Sequence, residues 1–265
     1  MSLNLIDSHC HLDMLDLSEF GNSMDNVLQQ AKEHQVTEFL SIAVDLETLP
    51  RILETAKQYD NVSASAGLHP CHTPEESISV ESITELTADS KVIAIGETGL
   101  DYYMNQGSDP LGQQFEWQRE RFRTHIQAAN QVHKPLIIHT REATQDTLRI
   151  LAEEDAEQAG GIMHCFVEDF QTAAHAMEMG FYISFSGIVT FKNAKSIQKV
   201  AKQIPDDRLL IETDSPYLAP APMRGKKNQP AYTYYVAQFL ADLRSTHIEH
   251  IAEITRNNYY KLFDL

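Results

Sequence analysis

The sequence predicts an α/β fold, a single (β/α)₈ barrel with extra helices at its C-terminal end, and three observations predict it. Eight short apolar, β-branched runs alternate with longer amphipathic stretches from one end of the chain to the other, the signature of βα units around a parallel sheet. The 265 residues suit eight such units in one closed barrel. Neither GxGxxG nor GxxxxGK[ST] occurs, which removes the usual announcement of an open doubly wound sheet.

The eight strand candidates are residues 5–12, 38–44, 62–69, 92–97, 135–140, 161–166, 181–186 and 209–213. Helical periodicity fills the intervals at 25–35, 46–59, 115–132, 142–154 and 170–179. The tail from 230 to 263 adds two helices, one carrying Tyr234, Val236, Phe239 and Leu243, the next Ile248, Ile251, Ile254 and Tyr259. These residues recur at the three- and four-residue spacing of one helix face. No linker or low-complexity segment divides the chain, so residues 1–265 read as one domain.

Composition narrows the function classes. Hydrophobic residues make up 42% of the chain, a globular level, and no run approaches the roughly 20 apolar residues that cross a bilayer. The start, MSLNLIDSHCHLD, lacks the basic and apolar regions of a secretory signal. Cys10, Cys71 and Cys165 are odd in number and far apart, a poor disulfide framework that fits a reducing cytoplasm. With 38 acidic and 21 basic residues, the net charge of −17 argues against a protein that coats nucleic acid through Lys and Arg. It leaves room for an enzyme that takes one phosphate into a metal site, since bound cations add charge that the formal count omits.

In a barrel, reactive groups gather at the C-terminal ends of the strands. Those ends carry His9 and His11, His69, Glu97, His139, His164 and Asp214. Side chains two apart on a strand share a face, so His9 and His11 point together into the mouth while Cys10 and, by the same alternation, Cys165 turn away. Imidazoles joined by carboxylates suit Zn²⁺ or another divalent transition ion. A carboxylate has two oxygens, and Glu97 is assigned the bridge between two cations. Metals about 3.5–4 Å apart can generate a hydroxide and stabilise attacking and leaving oxygens. A single strand-end His is more often a hydrogen-bonded core residue than a ligand. Six ligand-type residues at five strand ends (His9, His11, Glu97, His139, His164 and Asp214) are hard to assign to chance. A Ser-His-Asp triad has no GxSxG elbow to support it. Glu212 shares a face with Asp214 and is placed to orient a ligand, or to form an internal ion pair.

The motifs resemble the TatD family of metal-dependent deoxyribonucleases. They are DSHCHLD at 7–13, GLHP at 67–70, GETGLD at 96–101, IIHTR at 137–141, MHCF at 163–166, ETDSP at 212–216 and RGKKN at 224–228, in order along the chain. The resemblance implies a TIM barrel with two divalent metals, Mg, Mn or Zn, and 3′→5′ exonuclease or other phosphodiesterase activity on DNA or an oligonucleotide, single-stranded or at an end. Carried over motif by motif, it puts His9, His11, Glu97 and Asp214 on one metal and Glu97, His139 and His164 on the second. It places His69 and Arg224 by the substrate phosphate. As a carboxylate beside the expected metals, Asp214 is assigned to accept or relay the proton of the attacking water. Two other readings stand beside it. The same metals serve amide, ester or lactone hydrolysis, including aminoacyl deacylation, on one scaffold, although relatives of that kind often bridge with a carbamylated Lys where this chain has Glu97. A non-catalytic metal-storing module is the other, against which the open ligand set argues.

Overall fold

The computed structural model describes residues 2–72, 78–103 and 115–265. Its sheet has eight parallel strands in sequence order: β1 (Leu5–Cys10), β2 (Val36–Ser41), β3 (Val62–Ala66), β4 (Val92–Asp101), β5 (Leu136–Arg141), β6 (Gly161–Met163), β7 (Phe181–Phe185) and β8 (Leu209–Ile211). The barrel seam between β8 and β1 is drawn together just past the strand ends. There Asp214 N–H donates to His9 O at 2.9 Å and His11 N–H to Ser215 O at 2.8 Å. The Asp7 carboxylate reinforces the seam, accepting the Thr213 backbone N–H at 2.8 Å and the Thr213 hydroxyl at 2.5 Å.

The helices are α1 (Met24–Glu33), α2 (Leu49–Gln58), α3 (Val80–Leu86), α4 (Glu116–Val132), α5 (Thr144–Glu153), α6 (Phe170–Glu178), α7 (Lys195–Ala201), α8 (Thr233–Arg244) and α9 (Ile248–Phe263). Local chemistry explains their limits. Helix α2 has Pro at its N-terminal turn and buries Leu49, Ile52 and Ala56, three positions on one helical face. Helix α6 begins where Asp169 accepts the Thr172 N–H, a side-chain cap on an otherwise unpaired donor. Among the described residues no helix is long and apolar enough to cross a membrane.

Two apolar layers follow from strand alternation. Ile6, Leu40, Ala94, Ile137, Ile162, Tyr182 and Leu210 form one buried cluster with Tyr259 and Phe263 of α9. The other strand faces pack with the helices in a larger cluster. The Asn258 amide of α9 donates to Asp206 O and Leu209 O, both at 2.8 Å, at the start of β8. The last helix therefore closes the end of the barrel from which the strands set out, and the mouth at the other end stays open for chemistry.

The strand ends differ from the sequence expectation where it matters. β1, β3, β6 and β8 stop before His11, His69, His164 and Asp214, whereas β4 and β5 run on to Asp101 and Arg141. The ladder also shifts register between Asp7 and Cys10 and between Ile95 and Thr98. Each shift brackets a site residue, His9 in one case and Glu97 in the other. Such irregularities re-aim side chains beside active sites.

Candidate metal centre

Glu97, 2% exposed, stands in the middle of the mouth, and its two oxygens face different partners. Oε2 is 3.5 Å from His9 Nε2 and 3.9 Å from His11 Nε2. Oε1 is 2.9 Å from His164 Nε2, 3.1 Å from His139 Nδ1 and 3.4 Å from His69 Nε2. Asp214 Oδ1 completes the first side, 3.4 Å from His11 Nε2 and 3.6 Å from His9 Nε2. The six residues expected to converge do so.

Hydrogen-bond partners on the far side of four of the rings assign their protons. His11 Nδ1 faces the Ile42 carbonyl at 3.2 Å, so that nitrogen donates and Nε2 keeps its lone pair. His139 Nε2 faces Asp101 Oδ2 at 3.0 Å, leaving the Nδ1 lone pair towards Glu97. His164 Nδ1 faces Glu212 Oε1 at 3.3 Å, leaving Nε2 towards Glu97. His69 is the reverse. Its Nδ1 accepts the Cys71 N–H at 3.0 Å, so the neutral ring carries its proton on Nε2 and donates towards Glu97 Oε1. His69 thus presents an N–H, which suits an anionic oxygen better than a cation.

These acceptors converge on one another. The Nε2 atoms of His9 and His11 are 3.4 Å apart, and each also faces carboxylate oxygen. Ring nitrogens and carboxylate oxygens gathered this closely are stabilised by positive charge among them, whether a proton or a cation. His9, His11 and Asp214 form one set with ligand atoms within 4.8 Å of each other, and His69, Glu97 and His139 form another. Both sets carry the donor types of a divalent-cation site, although the tautomer of His69 turns an N–H rather than a lone pair towards Glu97.

Burial and charge act against each other in this cluster. Burial alone would raise the Glu97 carboxyl, yet the charges of His164, His69 and His9 and the His139 hydrogen bond hold it well below the usual range. Burial alone would lower His164, and the Glu97 and Glu212 carboxylates instead push it well above. His9 and His69 are lowered by burial.

Asp101 and Glu212 steer the rings from behind. Glu212, readable as either a ligand-orienting residue or an internal ion-pair partner, pairs with His164 Nδ1 at 3.3 Å and accepts the Cys165 N–H at 2.8 Å through the same Oε1, an arrangement that serves both readings. Asp101 has no role in the sequence reading. The signal was its place four residues after Glu97, on the same face of an unbroken strand.

Around the centre opens a cavity of about 810 Å³ lined on its polar side by His72, Thr140 and Arg141, and on its apolar side by Met14, Val167, Ile188, Tyr217 and Leu218. Cys165 also lines it, contrary to the expectation that alternation turns it away. β6 has ended at Met163, and Cys165 adopts a left-handed backbone (φ 44°), so alternation no longer governs it. Burial pushes its thiol well above the ordinary value and that of Cys71 up to about 12, which keeps both protonated and unreactive. Arg224 is not brought to the centre. It is exposed, its guanidinium lies 4.0 Å from the centroid of the Phe191 ring, and it does not line the cavity.

Comparison with known proteins places this geometry. The profile of the family described as "TatD related DNase" matches residues 6–264. The chain is 44% identical over 261 residues to the uncharacterized metal-dependent hydrolase YcfH of Escherichia coli K12, across 98% of this chain and 96% of that one. It is 43% identical over 262 residues to the uncharacterized metal-dependent hydrolase YabD of Bacillus subtilis, across 98% of each. The crystal structure of YjjV, a TatD homologue from Escherichia coli K12, superposes with a TM-score of 0.90 at 30% identity, covering 100% of both chains.

Proposed function

The chain belongs to the TatD family of metal-dependent hydrolases, and from that premise we propose that it cleaves phosphodiester bonds in DNA or an oligonucleotide, taken as a single strand or an end, with 3′→5′ exonuclease action. The observation that carries this reading is the division of Glu97. One oxygen faces His9 and His11, the other His139 and His164, which is the arrangement of a carboxylate shared between two cation sites. Two divalent ions held there would acidify a water and offset charge growing on the phosphoryl oxygens.

The protein's own groups then have distinct tasks. Asp214 takes the proton of the attacking water. Burial works against its ionisation, but the His11 hydrogen bond and the His9 charge hold its carboxyl below the ordinary value, so it is ready to accept. His69 aims its Nε2–H where a phosphoryl oxygen would lie beside Glu97, a donor placed before charge develops. Asp101 and Glu212 keep the lone pairs of His139 and His164 turned inward. A cavity of about 810 Å³ is in the range that encloses a small ligand, which favours a nucleotide end over a duplex.

The test is Glu97→Ala assayed on 5′-labelled single-stranded DNA with Mg²⁺ or Mn²⁺, alongside an aminoacyl ester. A ladder shortening from the 3′ end in the wild type, reduced about a hundredfold or more in the variant, is the expected result. Unchanged turnover by folded Glu97→Ala, or cleavage of the ester alone, ends the proposal.

A further inference from the structure

We propose that Arg141 and Tyr217 grip the nucleotide beside the scissile bond from opposite sides of the mouth, Arg141 binding the neighbouring phosphate and Tyr217 stacking on its base. The inference rests on the phosphodiesterase reading and deepens it, because it defines the substrate as a strand with an accessible base next to the bond that breaks.

Arg141 is the one Lys or Arg among the described residues lining the cavity. Elsewhere in this acidic chain Arg51, Arg123, Arg149 and Arg244 are neutralised by carboxylates. Arg141 forms no such ion pair with a described residue. Its guanidinium instead lies 3.8 Å from the centroid of the Tyr103 ring, a contact that fixes a cation without neutralising it. The backbone is fixed too, since its carbonyl accepts the Tyr102 N–H at 2.9 Å. Arg141 follows His139 by two residues on β5, so both side chains leave the strand on one side, Arg141 about 6.6 Å further out. A planar fork held there matches the paired oxygens of a phosphate just beyond the centre.

Tyr217 stands on the far side. It packs edge-on to His11, with ring centroids 6.2 Å apart and planes at 71°, next to β1, and β1 lies four strands from β5 in an eight-stranded order. Its hydroxyl donates to Met14 Sδ at 3.7 Å, yet the side chain remains 54% exposed. Val167, 39% exposed, with Ile188 and Leu218, extends the same apolar wall. Large apolar groups left open beside a polar centre mark a binding surface. A nucleobase offers the flat apolar face that covers a tyrosine ring, and such stacking strengthens binding roughly tenfold to a hundredfold per base. Bases inside a duplex have both faces occupied, so this wall selects unpaired or terminal ones.

The experiment compares kcat/KM on a single-stranded oligonucleotide with kcat/KM on methyl p-nitrophenyl phosphate, a diester with neither second phosphate nor base, using metal-loaded enzyme. Arg141→Met and Tyr217→Leu are each expected to lower the ratio of the two at least about tenfold. Tyr217→Phe should restore it, and Arg141→Lys, which keeps charge without the fork, only partly. Arg141→Met should also remove about 0.7 from the slope of log KM against log salt on the oligonucleotide, the mark of one lost single-strand phosphate contact. Both sites are exposed, and wild-type melting temperatures will confirm folding. Equal losses on the two substrates, or an oligonucleotide kcat/KM within twofold of wild type, overturn the inference. Wild-type enzyme that hydrolyses the small diester but no oligonucleotide refutes the nuclease reading instead.

Discussion

Replacing Asp101 with Asn tests how the centre holds its ligands, because it exchanges one oxygen for NH₂ at almost constant shape. Asp101 Oδ1 accepts the Tyr103 N–H at 3.0 Å, and Oδ2 faces His139 Nε2 at 3.0 Å. If the amide oxygen of Asn stays with Tyr103, its NH₂ meets His139 Nε2. The ring must then carry its proton on Nδ1, the atom 3.1 Å from Glu97 Oε1, and the inward lone pair is lost. If the amide flips, its NH₂ opposes the Tyr103 N–H, and a partly buried donor loses its partner. Either way the ligating form of His139 is disfavoured by about 1–3 kcal/mol, which is roughly 5- to 150-fold in metal affinity. This agrees with the about 10- to 100-fold typical of groups that orient a ligand from behind. Competition between Asp101→Asn and a chelator of known affinity for Mn²⁺ gives the number directly. A dissociation constant within twofold of wild type, in a variant that melts normally, would show that Asp101 does not set the His139 tautomer.

Three more expectations follow from the geometry. Burial would lower His11 and His139, but Asp214 raises the first and Asp101 with Glu97 raises the second. Cations must displace those protons, so apparent metal affinity rises with pH by about tenfold per unit for each proton released; calorimetry at pH 7 in buffers of different ionisation enthalpy should detect release, and none would contradict the assignment. His125, buried between the Leu68 N–H at 3.0 Å and the Arg121 carbonyl at 2.8 Å, has its pKa lowered by burial from 6.5 to about 4. The unfolded chain therefore binds a proton between those values that the folded one refuses, and stability should fall by about 3 kcal/mol as pH drops through that window; urea titrations at pH 7 and pH 4.5 should show less of this loss in His125→Gln. Gly99 has φ +131°, and a Cβ there would lie 2.0 Å from the His139 carbonyl oxygen, so Gly99→Ala should lose on the order of 3 kcal/mol or fail to fold; a wild-type urea midpoint would refute this.

Much of this molecule was legible in its sequence, for identifiable reasons. Alternation marks which segments are buried as strands, and all eight appear where expected. It does not mark where the ladder stops, because residues just after β1, β3, β6 and β8 stay largely buried and some still bond to a neighbouring strand, as the His164 N–H does to Ile138 O and the Asp214 N–H to His9 O. That is why Cys165 was assigned the wrong side. Helices α3 and α7, seven residues each, cover two turns and are too short for a 3.6-residue period to stand out. The convergence of His9, His11, Glu97, His139, His164 and Asp214 was readable from ligand types at strand ends. Direction was not readable. The basic run at 224–227 looked like a phosphate contact, but Lys227 pairs with Asp16 and Glu19 and Arg224 lies on Phe191. Arg141, the cation that does line the cavity, is a single charge with no run to announce it.

On the phosphodiesterase reading we propose, the placement of charge also accounts for how so acidic a chain would act on an anionic polymer. Glu97, Asp101, Glu212 and Asp214 crowd one mouth, and by themselves they would repel a phosphodiester. The imidazoles that separate them are held, in three cases, with their lone pairs inward, so their protons do not offset that repulsion when the site is ready for metal. Bound cations would thus serve the same residues twice, once among the converging polar atoms and once to admit the proposed substrate. On that proposal the site needs no basic surface, because the attraction would be generated at the centre and extended outward by Arg141. The same proposal limits the substrate to short contacts near the bond that breaks, since a longer reach over the surface of a chain with net charge −17 would meet mostly like charge.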